Sequence, residues 1–318
     1  MRKKRIALGV VAVVVVAACA WARLAMWPWL AAPEQGEVDR EWALVGRAVD
    51  EGPKLRGGDD ARFDAFAASL YGAKRDLETL ARTENARTDE TLPEKVHASV
   101  SALAAWAETA SAADDRAMRC GVHDKGPLYV VPTLAEMVLR AEPDEPRVRT
   151  FVALSERLRR GGTYVQWILG MHVLARVLDW AEASHAAPRF LVDTGADTRE
   201  LRAAIARDAK CLDGFFDGAT RASFAAPSTM EGDYVPWFAR TIVRPERERA
   251  MVRREAGTRL ERCEAALADA PRYLDCLAAD VASDMDGLPK SVAVRMTLMP
   301  LRFHDEAKTF ARLRALVK

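Results

Sequence analysis

Residues 163–184, TYVQWILGMHVLARVLDWAEAS, decide the fold class of this chain. Apolar side chains recur there at helical spacing and occupy nearly every direction around the axis, which predicts a helix packed among other helices. Four ionisable residues make the stretch too polar for a membrane span: His172, Arg176, Asp179 and Glu182. We therefore expect it to be the core helix of an all-α domain.

The rest of the chain favours the same fold class. Ala, Leu, Arg and Glu dominate it, and β-branched runs are few beyond the leader, so we expect an all-α multi-helix bundle or an array of helical hairpins. Capping residues and prolines predict helix starts near Asp59, Glu94 and Thr133. Further helices are predicted over 39–51, 147–160, 197–216, 244–269, 272–284 and 305–318.

The N-terminus predicts a membrane location. The cations of residues 2–5 precede an apolar run of about 17 residues, Ile6–Ala22, which reaches about 25 residues at Leu30 if the Arg23 side chain extends to the headgroups. Cations before such a run stay in the cytoplasm and direct the following chain outward. Three tryptophans then fall in an interfacial belt: Trp21, Trp27 and Trp29.

These features divide the chain into three expected parts. Residues 1–30 form a single-pass signal-anchor, or transmembrane helix, in the bacterial inner membrane. Residues 31–36 form a short tether, and residues 37–318 form a single all-α domain in the periplasm. About 285 residues after the leader are enough to bury a sizeable core.

Two other fates of the leader stay open. Val16-Ala17-Ala18-Cys19 is similar to the lipobox of bacterial lipoproteins, which predicts lipid attachment through Cys19 as an alternative to the anchor. Simple cleavage after a small-x-small site within residues 18–22 is the third possibility. The residues after Cys19 stay apolar as far as Leu30, an unusual start for a mature soluble protein, and this favours retention of the helix.

The charge balance argues against nucleic acid as a partner. With the five cations of the leader set aside, 42 basic residues stand against 46 acidic ones, so the exported part is mildly acidic. The Arg-rich stretch 244–262 is interleaved with glutamates and is interpreted as a solvated helix. The expected partners are the membrane, through the N-terminal segment, and an envelope protein.

Four cysteines beyond the leader predict disulfide bonds in an oxidising compartment. Ala270-Pro271 interrupts two predicted helices, and Cys263 and Cys276 lie on either side of the break, where the arms of a helical hairpin meet. These two are the first predicted pair, and Cys120 with Cys211 is the second. Four buried free thiols are the alternative, and a metal site is not expected because the cysteines lack close spacing and a histidine cluster.

The candidate ligand-binding residues are His172, Arg176 and Asp179, which share one helix face at positions i, i+4 and i+7. As a ligand site, Arg176 would bind an anionic group while His172 exchanges a proton. As a structural feature, Arg176 and Asp179 would form an ion pair satisfied against neighbouring helices. Both interpretations stay open at the level of sequence.

Other candidate segments carry weaker signals. His123-Asp124-Lys125 lies in a loop rich in glycine and proline, and the aromatic-flanked segment 230–238 is a possible partner surface. Glu136 or Glu231 would suit a glycan-cleaving carboxylate pair, but nothing distinguishes them from the other acids. Zinc-protease, nucleophile-elbow, phosphate-loop and dinucleotide motifs are absent, so no catalytic residue and no cofactor are predicted.

We therefore expect a bacterial envelope protein: a membrane-anchored helical domain that acts as a structural or interaction module, with no enzymatic activity favoured. The alternative is a helical binding protein or enzyme that holds an amphiphilic envelope molecule around the Trp167–Trp180 helix. A packed core around that helix favours the module, and an apolar pocket with Arg176 at its mouth favours the binding protein.

Overall fold

A computed structural model describes residues 2–53, 60–82, 92–109, 128–141, 144–184, 197–219, 242–282, 291–297 and 304–317. The side chains of residues 2–14 and of scattered positions near helix ends lie outside that description. All regular structure in the described ranges is helical, which confirms the all-α prediction.

The described ranges contain α-helices of 6 to 29 residues. They are α1 (Arg2–Leu30), α2 (Gln35–Asp50), α3 (Asp60–Arg82), α4 (Glu94–Ala107), α5 (Val131–Ala141), α6 (Glu145–Gly161), α7 (Tyr164–Ala183), α8 (Thr198–Phe215), α9 (Pro245–Arg262), α10 (Ala270–Ala282), α11 (Val292–Thr297) and α12 (His304–Val317). Two short 3₁₀ turns precede α5 and α10: Leu128–Val130 and Glu264–Ala266.

Local sequence signals explain several of these boundaries. Oδ1 of Asp144 accepts a hydrogen bond from the backbone N–H of Arg147 at 2.8 Å, and Oδ1 of Asp197 accepts one from the N–H of Arg199 at 2.9 Å. Each carboxylate thereby satisfies an N–H group that has no partner within its helix. Aspartate caps therefore begin α6 and α8, close to the predicted starts.

Several predicted boundaries are wrong, including the start of α2, which lies at Gln35 and not at residue 39. Thr133 does not cap its helix, because α5 already begins at Val131 and Pro132 occupies its first turn, where a missing N–H is tolerated. The helix predicted over 244–269 ends at Arg262, since the 3₁₀ turn Glu264–Ala266 separates α9 from α10.

The chain divides into two compact units. Unit 1 comprises Met1–Ala43, Leu212–Arg259 and Ala279–Leu301. Unit 2 comprises Leu44–Cys211, Leu260–Ala278 and Arg302–Lys318. The expectation of a single domain over residues 37–318 stays a prediction.

The core of unit 2 is enclosed by α3 to α7, to which α12 adds Leu313. Helix α7 packs against α5, α6 and α12 and buries an apolar face that includes Val173, Val177 and Leu178. This burial agrees with the apolar pattern of its sequence. The opposite strip of α7 is half-buried or exposed, so the helix is a core element on one side only.

Helices α6 and α7 approach closely at Gly170. A Cβ atom at this position would lie 2.7 Å from Cγ of Arg159 and 2.8 Å from the carbonyl oxygen of Ser155. The Ser155 hydroxyl also donates a hydrogen bond to the carbonyl of Gly170 at 2.8 Å. The crossing therefore requires a residue without a side chain.

Unit 1 has its own apolar core, which surrounds the end of α1. Trp29 is buried there with residues of α9 and α11 and of the segments beside α8 and α9: Phe216, Val243, Met251, Val252, Val292, Ala293 and Val294. Other large apolar residues of α1 are exposed: Val15, Val16, Trp21, Leu24 and Trp27. Among the residues whose side chains are described, a set that leaves out residues 2–14 of α1, no helix combines the length and apolar character needed to cross a bilayer.

The predicted bond between Cys263 and Cys276 is confirmed. Their sulfur atoms are joined across the turn between α9 and α10, with the two Cα atoms 5.8 Å apart. Cys211 is disulfide-bonded as well, whereas its predicted partner Cys120 lies outside the described residues, so that pairing stays a prediction. Cys19 is a free and exposed thiol.

Candidate functional site

The predicted ligand-binding residues lie on the outer strip of α7. His172 and Arg176 expose about two fifths of their side chains, 40 and 41 % respectively, and Asp179 exposes 49 %. Their common face follows from the helical spacing. The strip adjoins α5 on one flank and α12 on the other, and both helices supply charged partners.

Each of the three residues is engaged in an ion pair. Nε2 of His172 lies 3.2 Å from Oε1 of the buried Glu306, an ion pair when the imidazole is protonated. Nη2 of Arg176 lies 3.3 Å from Oε2 of Glu136, and its Nη1 lies 3.2 Å from Oδ2 of Asp179. The pairing of Arg176 with Asp179 is the contact that the structural interpretation predicts.

Arg312 of α12 completes this network. Its Nε donates a hydrogen bond to Glu182 at 2.8 Å, and its Nη2 donates one to Asp179 at 2.9 Å. Burial lowers the pKa of Arg312, but the hydrogen bonds to Glu182 and Asp179 outweigh burial and hold that pKa above its usual range. Sequence reasoning missed Arg312, because only tertiary packing brings α12 beside α7.

The basic side chains of the strip each lie beside a carboxylate. Three guanidinium groups and one imidazole face four carboxylates: Arg140, Arg176, Arg312 and His172 against Glu136, Asp179, Glu182 and Glu306. An anionic ligand at Arg176 would have to displace a carboxylate already in place, which costs about what the pair contributes. Within the described residues, the geometry therefore favours ion pairing on this strip.

A second charged cluster is buried between α6 and α8. Nη1 of Arg159 lies 2.5 Å from Oε2 of Glu200, and Nε of Arg160 lies 2.9 Å from the other carboxylate oxygen. Burial lowers the pKa of Arg160, yet its hydrogen bond to Glu200 prevails and the net pKa lies above the ordinary value. Glu200 thus holds two neighbouring arginines of α6 against α8.

Arg207 belongs to the same region of unit 2. Its Nη1 donates a hydrogen bond to the carbonyl of Gly162 at 3.1 Å, just after α6. Burial lowers the pKa of Arg207 to about 10, and the charge of Glu200 opposes this shift. The sequence signal that could have indicated this cluster is the Arg-rich end of α6, which contains Arg157, Arg159 and Arg160.

The end of α1 forms a buried polar joint with α9 in unit 1. Nε of Arg247 donates to the carbonyl of Ala31, and its Nη2 donates to the carbonyl of Pro28, both at 2.8 Å. These carbonyls belong to the last turn of α1 and to the residue that follows it, where a cation also complements the helix dipole. Arg247, a residue of α9, thus caps the C-terminal end of α1.

Glu248 holds Arg247 in place. Its Oε1 lies 2.5 Å from Nη1 of Arg247, while its Oε2 accepts the Ser291 hydroxyl at 2.6 Å and the N–H of Ala293 at 2.9 Å. Arg247 and Glu248 are 5 and 1 % exposed. The interpretation of residues 244–262 as a solvated helix is therefore wrong for these two residues, because the end of α1 and the start of α11 cover them.

A fourth ion-pair group fixes α9 to the end of α8 within unit 1. Asp213 accepts hydrogen bonds from Arg249 and Arg253, with both carboxylate oxygens engaged. Burial by itself raises the pKa of Asp213, but the two arginines lower it to about 2. Both oxygens of the Asp213 carboxylate are therefore already occupied by hydrogen bonds from Arg249 and Arg253.

Most of the remaining sequence candidates lie outside the described residues. The loop His123-Asp124-Lys125, the segment 230–238 and Glu231 lie outside the described residues. Glu136 is described and pairs with Arg140 and Arg176. No group of three or more His, Cys, Asp or Glu residues in the described ranges is arranged to hold a metal ion.

Comparison with known proteins adds no assignment to this geometry. No protein-family model, curated protein or solved structure matches the chain.

Proposed function

We propose that this chain is a bacterial envelope protein anchored in the inner membrane by α1, with its helical part in the periplasm acting as a structural or interaction module. The cations of residues 2–5 and the apolar run that follows support the orientation. The length of α1, Arg2–Leu30, supports retention as a single helix.

The observation that supports the module is the pairing of the polar residues on the outer strip of α7. The polar residues most suited to a ligand site are paired with Glu306, Glu136 and Arg312 instead. A buried apolar face on the other side of α7 supports the same view, because the core there is packed with side chains. Such a domain presents a stable helical surface rather than a charged cavity.

Membrane attachment is tested by fractionating cells that produce the full chain. We expect the protein in the membrane pellet after an alkaline wash, with an unreduced intact mass that includes the leader and lacks about four hydrogens, as two disulfides require. A chain that fractionates as a soluble protein would overturn the anchor. A lipid-modified mass beginning at Cys19 would replace the anchor by lipoprotein attachment.

Two variants separate these routes. Val13→Arg puts a charge in the middle of the apolar run, which opposes insertion by about 2.5–3.5 kcal/mol, so the membrane-bound fraction should fall. Cys19→Ser should leave attachment unchanged, because an anchor does not use the thiol. Loss of attachment in Cys19→Ser would contradict the anchor.

The interaction role is tested on protein purified from those membranes. Small molecules released on denaturation are identified by mass spectrometry, and we expect none at stoichiometric amount. A stoichiometric amphiphilic molecule, lost on replacement of Arg176 by Gln, would overturn the module and favour a binding protein. In the absence of such a molecule, we expect photo-crosslinking from the exposed Tyr71 of unit 2 to capture an envelope protein.

A further inference from the structure

The last turns of α1 have two distinct sides. Ala22, Met26, Trp29 and Leu30 are half-buried or buried and lie on one side of the helix, at spacings of four, three and one residues. Trp21, Leu24 and Trp27 lie on the opposite side and are 73, 75 and 57 % exposed. One side thus belongs to unit 1, whereas the other presents large apolar groups.

The exposed side continues the apolar run of residues 6–22. From Trp21 to Trp27 the helix rises about 9 Å, slightly more than the thickness of one headgroup layer. Tryptophan is the residue that prefers this layer, and Arg23 adds a guanidinium 5.9 Å from the ring centre of Trp27. A lipid surface is therefore the occupant that fits these side chains.

The contacts of Arg247 with the end of α1 restrict the distance between the headgroup layer and unit 1. Trp29 is already part of the unit 1 core, and Arg247 holds the carbonyls of Pro28 and Ala31. Helix α2 begins at Gln35, so only four residues connect it to α1. The depth of Trp27 in the membrane thus determines the distance between unit 1 and the bilayer surface.

We propose that unit 1 sits directly on the bilayer surface, with Trp21, Leu24 and Trp27 in the headgroup layer and α1 joined rigidly to the unit through Arg247. This proposal rests on the proposed function, since it requires α1 to be in the membrane. The partner surface is the lipid headgroup layer itself, and Ala31, the first residue of the expected tether, contributes its carbonyl to the joint.

Depth-dependent fluorescence quenching tests the proposal on the full chain. In a Cys19→Ser background, Leu24→Cys or Arg244→Cys carries a nitrobenzoxadiazole label, and the protein is placed in vesicles of phosphatidylethanolamine and phosphatidylglycerol. Both sites are exposed, so neither label disturbs a core. Arg244 lies three residues before Arg247, which is less than one turn of helix.

We expect lipids spin-labelled at the headgroup to quench both labels more strongly than lipids labelled deep in the acyl chain. Protein that does not float with the vesicles would contradict the proposed function. Protein that floats with a quenched Leu24→Cys label but an unquenched Arg244→Cys label would overturn only this proposal, because unit 1 would then stand away from the surface. An unquenched Leu24→Cys label on floating protein would also overturn it and would point to a second copy covering this side of α1.

The joint itself is tested by Arg247→Gln combined with Glu248→Gln, which removes both buried charges together. Quenching at Leu24→Cys should persist, while quenching at Arg244→Cys should be lost as the unit moves away from the surface. Arg249→Gln, on the same helix but bonded to Asp213, is the matched control and should leave both signals unchanged. Unchanged quenching in the double variant would overturn the rigid joint.

Discussion

Arg159 and Glu200 form an ion pair between α6 and α8 in which neither side chain exposes more than 1 % of its surface. The same carboxylate accepts a hydrogen bond from Arg160 at 2.9 Å. Removing an ion from water costs several kcal/mol, and close pairing offsets that cost only while both partners are present. The pair therefore makes the packing of α6 on α8 dependent on the correct charges.

Replacing Glu200 by Ala should lower the free energy of unfolding by about 3–5 kcal/mol, because Arg159 would be left as a buried charge without its partner. Urea unfolding followed by circular dichroism measures this change. The matched control is Glu182→Ala, whose side chain is 56 % exposed and whose loss should cost at most about 1 kcal/mol.

The double variant Arg159→Met with Glu200→Leu should recover much of the stability lost in Glu200→Ala, since apolar residues of similar size fill the same space without a charge. A double variant less stable than Glu200→Ala would show that the buried ions stabilise the fold by themselves.

The acid stability of unit 1 should depend on Asp213. Its folded pKa of about 2 lies below the value of about 4 expected in an unfolded chain, so its contribution is present above pH 4 and is lost as the pH falls to 2. The shift corresponds to about 2 kcal/mol, which solvent screening at the surface reduces to about 1 kcal/mol.

Asp213→Asn should therefore flatten the decline in unfolding free energy between pH 4 and 2, measured by urea titration at a series of pH values. Asp217→Asn is the control, because this neighbour of Arg249 is 70 % exposed. Equal acid profiles for the Asp213→Asn variant and the native chain would refute the role given to this carboxylate.

Gly170→Ala should destabilise unit 2 by about 1–2 kcal/mol, because the added Cβ meets the backbone of α6 and the clash exceeds the gain in helix propensity. Gly72→Ala should instead stabilise it by about 0.5–1 kcal/mol, since this exposed helical position has open space around it. The two midpoints of thermal unfolding should thus move in opposite directions. A rise in both would mean that α6 and α7 do not approach closely at Gly170.

Replacing Cys263 and Cys276 together by Ala should lower the free energy of unfolding by about 2–3 kcal/mol, because their bond closes a loop of 13 residues in the unfolded chain. Urea unfolding under non-reducing conditions gives the difference. Cys19→Ser should change stability by less than about 0.5 kcal/mol, because this thiol is exposed. An equal loss in both variants would rule out a specific effect of the bond.

Much of the local structure could be predicted from residue pattern. The apolar spacing of residues 163–184 located α7 to within one residue, and the break at Ala270-Pro271 located the bond between Cys263 and Cys276. Both signals depend on neighbours in sequence, so a single chain contains them in full. The error at Thr133 also arises from local signals. Threonine favours the N-cap and proline favours the first turn, so the sequence allowed a helix start at either Thr133 or Pro132, and packing placed it at Val131.

The partners of charged residues could not be predicted in this way. Helical spacing placed His172 beside Arg176 and Asp179, yet Glu306 and Arg312 lie more than 120 residues further along the chain. Charge patterning suggested solvated pairs for residues 244–262, whereas Arg247 is buried against the end of α1. Whether a given arginine of this stretch is buried depends on which helices pack against it.

The sequence by itself determined that the chain is helical, where most helices begin and end, and one of its disulfide bonds, because these follow from helical periodicity, capping and the spacing of cysteines within a hairpin. Only the tertiary structure decided that the chain forms two compact units, that Glu200 holds Arg159 and that Arg247 closes the end of α1. These depend on desolvation, which acts on a charged group only after distant elements have covered it.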